Sequence, residues 1–229
     1  ARIPVANGEL YLVICGGTEA PLHRAPLLEL RAAGLTPTTT EMPERLARPF
    51  DLWRTTGVVS EGAAMFVIER EDSPRRGYSY ISGYGFANDD ASDLCGGLNA
   101  SGKLALADAK LKTGQVEAIN AWGPGHKLID AAEARVMADL FQADLPNIPV
   151  GSIKGAIGSP LGAAPAIQVA TSALAQRHGI IPPTVNWQYP DPSCPLNLSG
   201  EPRSIGHAIT LINAHGVGRV NASLVLERC

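Results

Sequence analysis

The feature that most restricts the fold is a regular alternation. Short apolar runs, each closed by a glycine or proline turn or a charged connector, alternate with segments of helical period. From Tyr78 onward, Tyr78–Phe86, Val116–Ala121 and Val150–Ile153 read as strands, and Lys103–Lys112, 127–141 and 160–178 read as helices. In 127–141, Leu128, Ala131, Ala134, Met137 and Phe141 recur near one face. Helix 160–178 is closed by Gly179, and Pro182-Pro183 prevents its continuation. Two last strands are expected at 207–214 and 221–227. Strands and helices in this order predict a mostly parallel, layered α/β domain.

The upstream part is organised differently. Leu10–Cys15 reads as a fully buried strand that stops at Gly16-Gly17, and Ala63–Glu69 as a second buried strand. Residues 21–57 are rich in Pro, Thr and Arg without a sustained period, which predicts a long surface excursion with one helical piece. Arg70–Gly77 is a charged connector. Residues 78–229 are therefore expected to form a complete unit, and residues 1–77 the end of another.

Composition removes several function classes. With 19 Lys+Arg against 22 Asp+Glu and no basic run, nucleic acid is not an expected partner. No apolar run reaches the ~18 residues of a membrane span, and no signal peptide precedes the first strand. A cytoplasmic protein is expected. The chain begins at Ala1 without an initiator Met, so processing or trimming is expected too. Cys15, Cys95, Cys194 and Cys229 show no C-x-x-C or metal-ligand spacing, and free thiols are predicted. The sequons at Asn99, Asn197 and Asn221 carry no meaning without secretion.

Several motifs have a bland reading that wins. Gly97–Lys103 spells G-x-x-x-x-G-K, but Leu104 replaces the magnesium-binding hydroxyl and no strand aims the loop, so it reads as a Gly-rich helix entry. Asp89, Asp90 and Asp93 fit no cation-loop spacing and read as a solvated acidic turn. The five histidines are dispersed, and no G-x-S-x-G elbow occurs. No metal site is expected.

Two stretches stand out. I-N-A-W-G-P-G at 119–125 puts Trp122 just past a strand end, the edge where open α/β sheets hold their ligands. An echo, I-N-A-H-G-V-G at 212–218, has His215 in the corresponding place. S-I-K-G-A-I-G-S-P-L-G-A-A at 152–164 runs a strand through Lys154 into a Gly turn and a helix starting near Ser159. Lys154 reads as catalytic, as an ion-pair member or as a surface lysine.

These stretches, with V-I-C-G-G-T-E-A-P-L (13–22), R-P-F-D (48–51), S-E-G-A (60–63), G-Y-G (83–85), the Asp130/Glu133 pair, G-I-I-P-P-T-V-N (179–186), P-D-P-S-C (190–194) and G-V-G-R-V-N-A-S-L-V (216–225), resemble the β-ketoacyl-ACP synthases of fatty acid and polyketide synthesis. The resemblance implies a thiolase-like layered α/β/α fold, with the end of the N-terminal half in 1–77 and the complete C-terminal half in 78–229. It also implies a cysteine nucleophile upstream of G-G-T-E-A, by more residues than this chain has; Cys15 lies within a strand and cannot replace it. The family's first catalytic histidine corresponds to Trp122 and its second to Ser159. Only the lysine is retained, as Lys154. The threonines that contact phosphopantetheine correspond to Pro124 and His126, and a gating aromatic to His215, in a loop with Gly216 and Gly218.

On that resemblance the expected function is a non-catalytic synthase homologue that acts as a partner subunit, in the manner of a chain-length factor. The alternative is an active, divergent synthase whose nucleophile lies on a segment outside this chain; a structural remnant or a fragment is the third reading. The expected partners are a missing N-terminal half or a synthase subunit covering residues 10–17 and 63–69, in a dimer, and acyl carrier protein. No tightly bound cofactor is implied; phosphopantetheine would arrive on the carrier.

Overall fold

The computed structural model describes residues 2–216 and 218–229. In chain order the elements are α1 (Arg2–Ala6), β1 (Leu12–Glu19), α2 (Arg24–Ala32), β2 (Gly62–Glu69), β3 (Ser79–Asn88), α3 (Gly96–Asp108), β4 (Ala118–Asn120), α4 (Lys127–Phe141), β5 (Val150–Gly151), α5 (Lys154–Ile157), α6 (Ala164–His178), β6 (Ile209–Gly216) and β7 (Val220–Arg228). β1 and β2 form an antiparallel ribbon, and the other strands form one sheet in the order β3-β7-β6-β4-β5.

The layers follow from side-chain alternation along the central strands. On β6 and β7, Leu211 and Val225 join Ala105, Leu106, Ala134, Met137 and Phe141 of α3 and α4. Their neighbours Ile212, Leu224 and Leu226 point the other way, to Val169 and Ala173 of α6. The β1–β2 ribbon packs on the far side of α6, where Gly17 lies beside Gly162, Ala163 and Ala166. The result is a layered α/β structure of ribbon, helix, sheet and helices.

Several expectations need correction. The large sheet is mixed, because β3 and β6 each pair antiparallel with β7 between them, and only β6, β4 and β5 pair in parallel. The link from Gly216 to Val220 is too short for a crossover, so it can join only antiparallel strands. β1 does not stop at Gly16-Gly17; both residues pair with β2, and the glycines mark close backbone approach instead. Neither ribbon strand is fully buried: Ile14, Met65 and Val67 are 66%, 63% and 59% exposed. The excursion 21–57 contains the predicted helix, α2, but its end is interior, with Phe50, Asp51 and Arg54 buried.

The helix expected at 103–112 begins earlier, at Gly96. Its glycines are packing residues: α3 lies so close to β3 that a Cβ on Gly85 would come 2.8 Å from the Ala105 nitrogen and strike the Ser101 carbonyl. α4 occupies 127–141 as expected, with Ala134, Met137 and Phe141 buried but Leu128 exposed. β5 is shorter than predicted, and Lys154 opens the short helix α5 rather than ending a strand. The helix placed at 160–178 is a 3-10 turn over Leu161–Ala163 followed by α6, with Gly179 left-handed at its C-cap.

Because Gly85 has backbone rather than a flexible side chain above it, Gly85→Ala is expected to cost about 1–3 kcal/mol through overpacking. Chemical denaturation checks this; an unchanged midpoint would contradict the close α3–β3 approach.

Candidate functional site

β4, β5 and β6 run parallel, so their carboxyl ends meet at one edge of the sheet. That edge brings together Ala121–Gly125, Ser152–Lys154 and His215–Gly216. The turn after β4 is held from below by α4. The Trp122 and Gly123 backbone N–H groups donate to Glu133 at 2.9 and 2.7 Å. Those of Gly125 and Phe50 donate to Asp130 at 3.1 and 2.7 Å. Gly123 adopts φ 34°, and a Cβ there would lie 2.5 Å from the Phe50 ring. Ser152 Oγ closes the turn by donating to the Gly123 carbonyl at 2.8 Å.

Lys154 is 1% exposed, and its Nζ donates to Gln168 Oε1 at 3.1 Å. Gln168 Nε2 in turn donates to the carbonyls of Ala121 and Asn213 at 2.9 and 3.1 Å. Burial pushes the Lys154 amine down to about 8, against the opposing pull of Glu133 and Asp130. Burial raises the Glu133 carboxyl, opposed by its two N–H donors, by Lys154 and by Asn213. The amine and carboxylate therefore stabilise each other's charged forms in an interior that would otherwise disfavour both.

On the α3–α4 side, the Trp122 ring packs against Cys95, Leu98 and Val136. Its other neighbour is His215: the two rings stack with centroids 4.6 Å apart and planes at 25°. His215 Nε2 lies 2.9 Å from Asp89 Oδ2. Asp89 also accepts from the backbone N–H groups of Cys95 and Gly97, at 3.1 and 2.9 Å, and from Asn221 Nδ2 at 2.7 Å.

Two sequence families match this chain: "Beta-ketoacyl synthase, N-terminal domain" over residues 2–73 and "Beta-ketoacyl synthase, C-terminal domain" over residues 78–188. The chain belongs to the β-ketoacyl synthase family. It is 34% identical to the tetracenomycin polyketide synthase ketoacyl synthase alpha subunit of Streptomyces glaucescens, covering 98% of this chain and 55% of that one. It is 32% identical to 3-oxoacyl-[acyl-carrier-protein] synthase 2 of Coxiella burnetii, over 98% of this chain and 56% of the relative. The chain thus spans about half the length of the curated relatives it matches. Among solved structures, the ishigamide ketosynthase/chain length factor superposes with a TM-score of 0.90 at 28% identity, covering 100% of this chain and 56% of that one. A β-ketoacyl synthase from Burkholderia phymatum gives 0.91 at 30% identity, over 99% and 57%. The fold is the thiolase-like ketosynthase fold.

Against this synthase frame, the sequence-derived positions divide into two groups. Trp122 and His215 meet on the α3–α4 side of the sheet. Lys154 lies on the α6 side, connected to the turn at 121–123 through Gln168. Ser159 is set apart, half-buried, with its backbone N–H bonded to the Val58 carbonyl at 2.6 Å. Pro124 is buried beside Gly57. His126 caps α4 by accepting from the Leu128 N–H at 3.3 Å, and burial and the nearby Arg54 lower its pKa. Gly216 and Gly218 are exposed at the β6–β7 turn, with Val217 between them outside the described residues.

The remaining motifs are accounted for by packing. Gly97–Lys103 lies within α3, whose first N–H groups are taken by Asp89 and Asp93. Of the three aspartates read as a solvated turn, Asp89 is turned inward, while Asp93 pairs with Arg135 at 2.6 Å. All four cysteines are free thiols; Cys95 and Cys194 are buried. Burial pushes the Cys194 thiol up to about 11 and the Cys95 thiol well above the usual range. Neither has the thiolate character of a nucleophile.

Sequence reasoning missed Gln168, Asp89 and Arg54. Gln168 had a detectable signal: with Ser172 and Gln176 it forms a fully buried i, i+4, i+8 polar stripe on an otherwise small-residue helix.

The lowered Lys154 pKa gives a signed prediction. Between about 8 and its ordinary 10.5, the unfolded chain holds a proton on Lys154 that the folded chain has released, so stability rises with pH across that window. Lys154→Met should remove this rise. Unfolding free energies of both proteins across the window test it, and parallel curves would refute it.

Proposed function

We propose that this chain is part of a non-catalytic partner subunit, chain-length-factor-like, of a condensing assembly in polyketide or fatty acid synthesis, working in the cytoplasm with acyl carrier protein. Residues 1–77 are the end of its N-terminal half and 78–229 its C-terminal half. The observation that carries the reading is Trp122. The backbone turn is held by the Trp122 and Gly123 N–H groups donating to Glu133, yet its side chain is a bulky indole stacked on His215. Indole can donate one N–H but cannot shuttle a proton, and a positioned acid–base group of that kind contributes ~10²–10⁴-fold. Ser159 offers only a hydroxyl at the second position. The likeness to a ketosynthase/chain length factor pair supports this reading.

The outer face of the β1–β2 ribbon supports pairing. Leu12, Ile14, Met65 and Val67 are exposed there, and contiguous apolar strand faces are usually covered. A missing N-terminal half or a synthase subunit is the proposed cover, giving a dimeric assembly.

A second reading has its own support, because the relatives at 32–34% identity include a ketoacyl synthase alpha subunit. In that reading the protein is an active, divergent synthase whose nucleophile lies outside the present chain.

Native mass spectrometry of the purified material, followed by incubation with malonyl- and acyl-loaded carrier protein, separates the two. The expected result is a complex with a second, synthase-sized chain, and acyl label on that chain's cysteine alone. Acyl label on the polypeptide that contains this sequence would establish the second reading. A mass matching only copies of this 24.0 kDa chain would overturn the partner-subunit reading.

A further inference from the structure

β3 is an edge strand: it pairs with β7 on one side and, among the described residues, with no strand on the other. Its ten residues, S-Y-I-S-G-Y-G-F-A-N, include no charge and no proline. Tyr80, Tyr84 and Phe86 on it are 42%, 42% and 59% exposed. A long, uncharged, aromatic edge is a template for a strand from another chain, and proteins blunt such edges with bulges and charges. The bulge is present, as a register shift between Ile81 and Gly83. The charges come from outside the strand.

Arg2, on α1, lies along the free edge. Its Nε donates to the Ile81 carbonyl and its Nη2 to the Ser82 carbonyl, each at 2.9 Å. The guanidinium carbon is 5.8 Å from the centroid of the Tyr84 ring. Arg2 Nη1 donates to Asp108, the last residue of α3, at 2.6 Å. The same Asp108 oxygen accepts the Tyr84 backbone N–H at 3.1 Å. One ion pair thus occupies two acceptors and a donor in succession, as a paired strand would. Outward N–H groups recur at every second residue, so Phe86 and Asn88 are the outward positions left beyond it. That is shorter than the ~3 residues of the shortest usual strand.

We propose that Arg2 and Asp108 form an edge cap, which keeps a second copy of this chain from adding its own strand to β3. The two side chains are 30% and 37% exposed, and an ion pair so wetted adds little to folding. Its effect falls on association instead.

The test is sedimentation velocity of the protein as purified, over a range of concentrations, compared with Arg2→Ala. Freeing the Ile81 and Ser82 carbonyls is expected to tighten self-association by roughly 5–30-fold, the worth of one or two backbone hydrogen bonds. Adding Tyr84→Lys puts a charge on the strand itself and should return the variant to the unmutated state of association. Unchanged association of Arg2→Ala would overturn the cap. Association that Tyr84→Lys does not relieve would overturn it too, because another surface would then be responsible. If the variants fail to fold, amide exchange of the unmutated protein decides. The Tyr84 amide should exchange roughly 3–10-fold more slowly than that of Phe86, and equal rates would contradict the Asp108 contact.

Discussion

Two carboxylates on α4 organise everything around the sheet edge. Asp130 and Glu133 are both fully buried, and between them they accept the backbone N–H groups of Phe50, Trp122, Gly123 and Gly125. A buried carboxylate is tolerable only when donors surround it, and a buried N–H only when an acceptor does; here each meets the other's requirement. One helical turn thereby fixes the course of the turn after β4. The fixing acts on backbone groups, so it is indifferent to the side chain at 122. This explains how a bulky indole is accommodated in a turn whose backbone is fully held.

Asp130 extends the same logic outward. Its second oxygen lies 3.4 Å from Arg54 Nε, and Arg54 also bonds Asp191 at 2.5 Å and the Lys127 carbonyl at 3.1 Å. Asp51, fully buried, accepts the N–H groups of Gln188 and Tyr189, each at 2.8 Å. Segment 47–57 is thus clamped to 186–194 through charges that removal of one partner would leave stranded. A stretch with the composition of a surface loop is interior because its charges are matched from distant parts of the chain.

That contrast marks what the sequence could reveal. Periodicity located α4, at about 127–141, and identified β3, β4, β6 and β7 with small errors at their ends, because those segments bury one face or both in a regular way. It placed Trp122 and Lys154 near strand ends, and both lie at the carboxyl edge, although Lys154 opens α5. It misread Gly16 and Gly17 as the end of a strand, whereas both lie within β1 and allow its backbone to approach its neighbours closely. Nor could it see that Asp89, in an acidic run, faces inward to His215. That pairing joins residues 126 positions apart, and nothing local encodes it.

The position of α6 explains why the two regions depend on each other. One face carries Gln168, Ser172 and Gln176. Gln176 alone donates to the carbonyls of Ala208 and Leu226 at 2.9 and 3.0 Å, so this polar stripe fixes the helix's register on the large sheet. The opposite face presents Ala166 and Ile167 to Gly17 and Gly62, which lets the two-stranded ribbon come close without directional bonds. A ribbon of two strands is marginal by itself, and α6 covers only its inner face. Register is therefore set from the large sheet, while the ribbon is held by contact alone and still has apolar side chains facing outward. The ribbon also presents the exposed apolar side chains, so covering Ile14, Met65 and Val67 would stabilise the ribbon, α6 behind it and, through Gln168, the Lys154 end of the site.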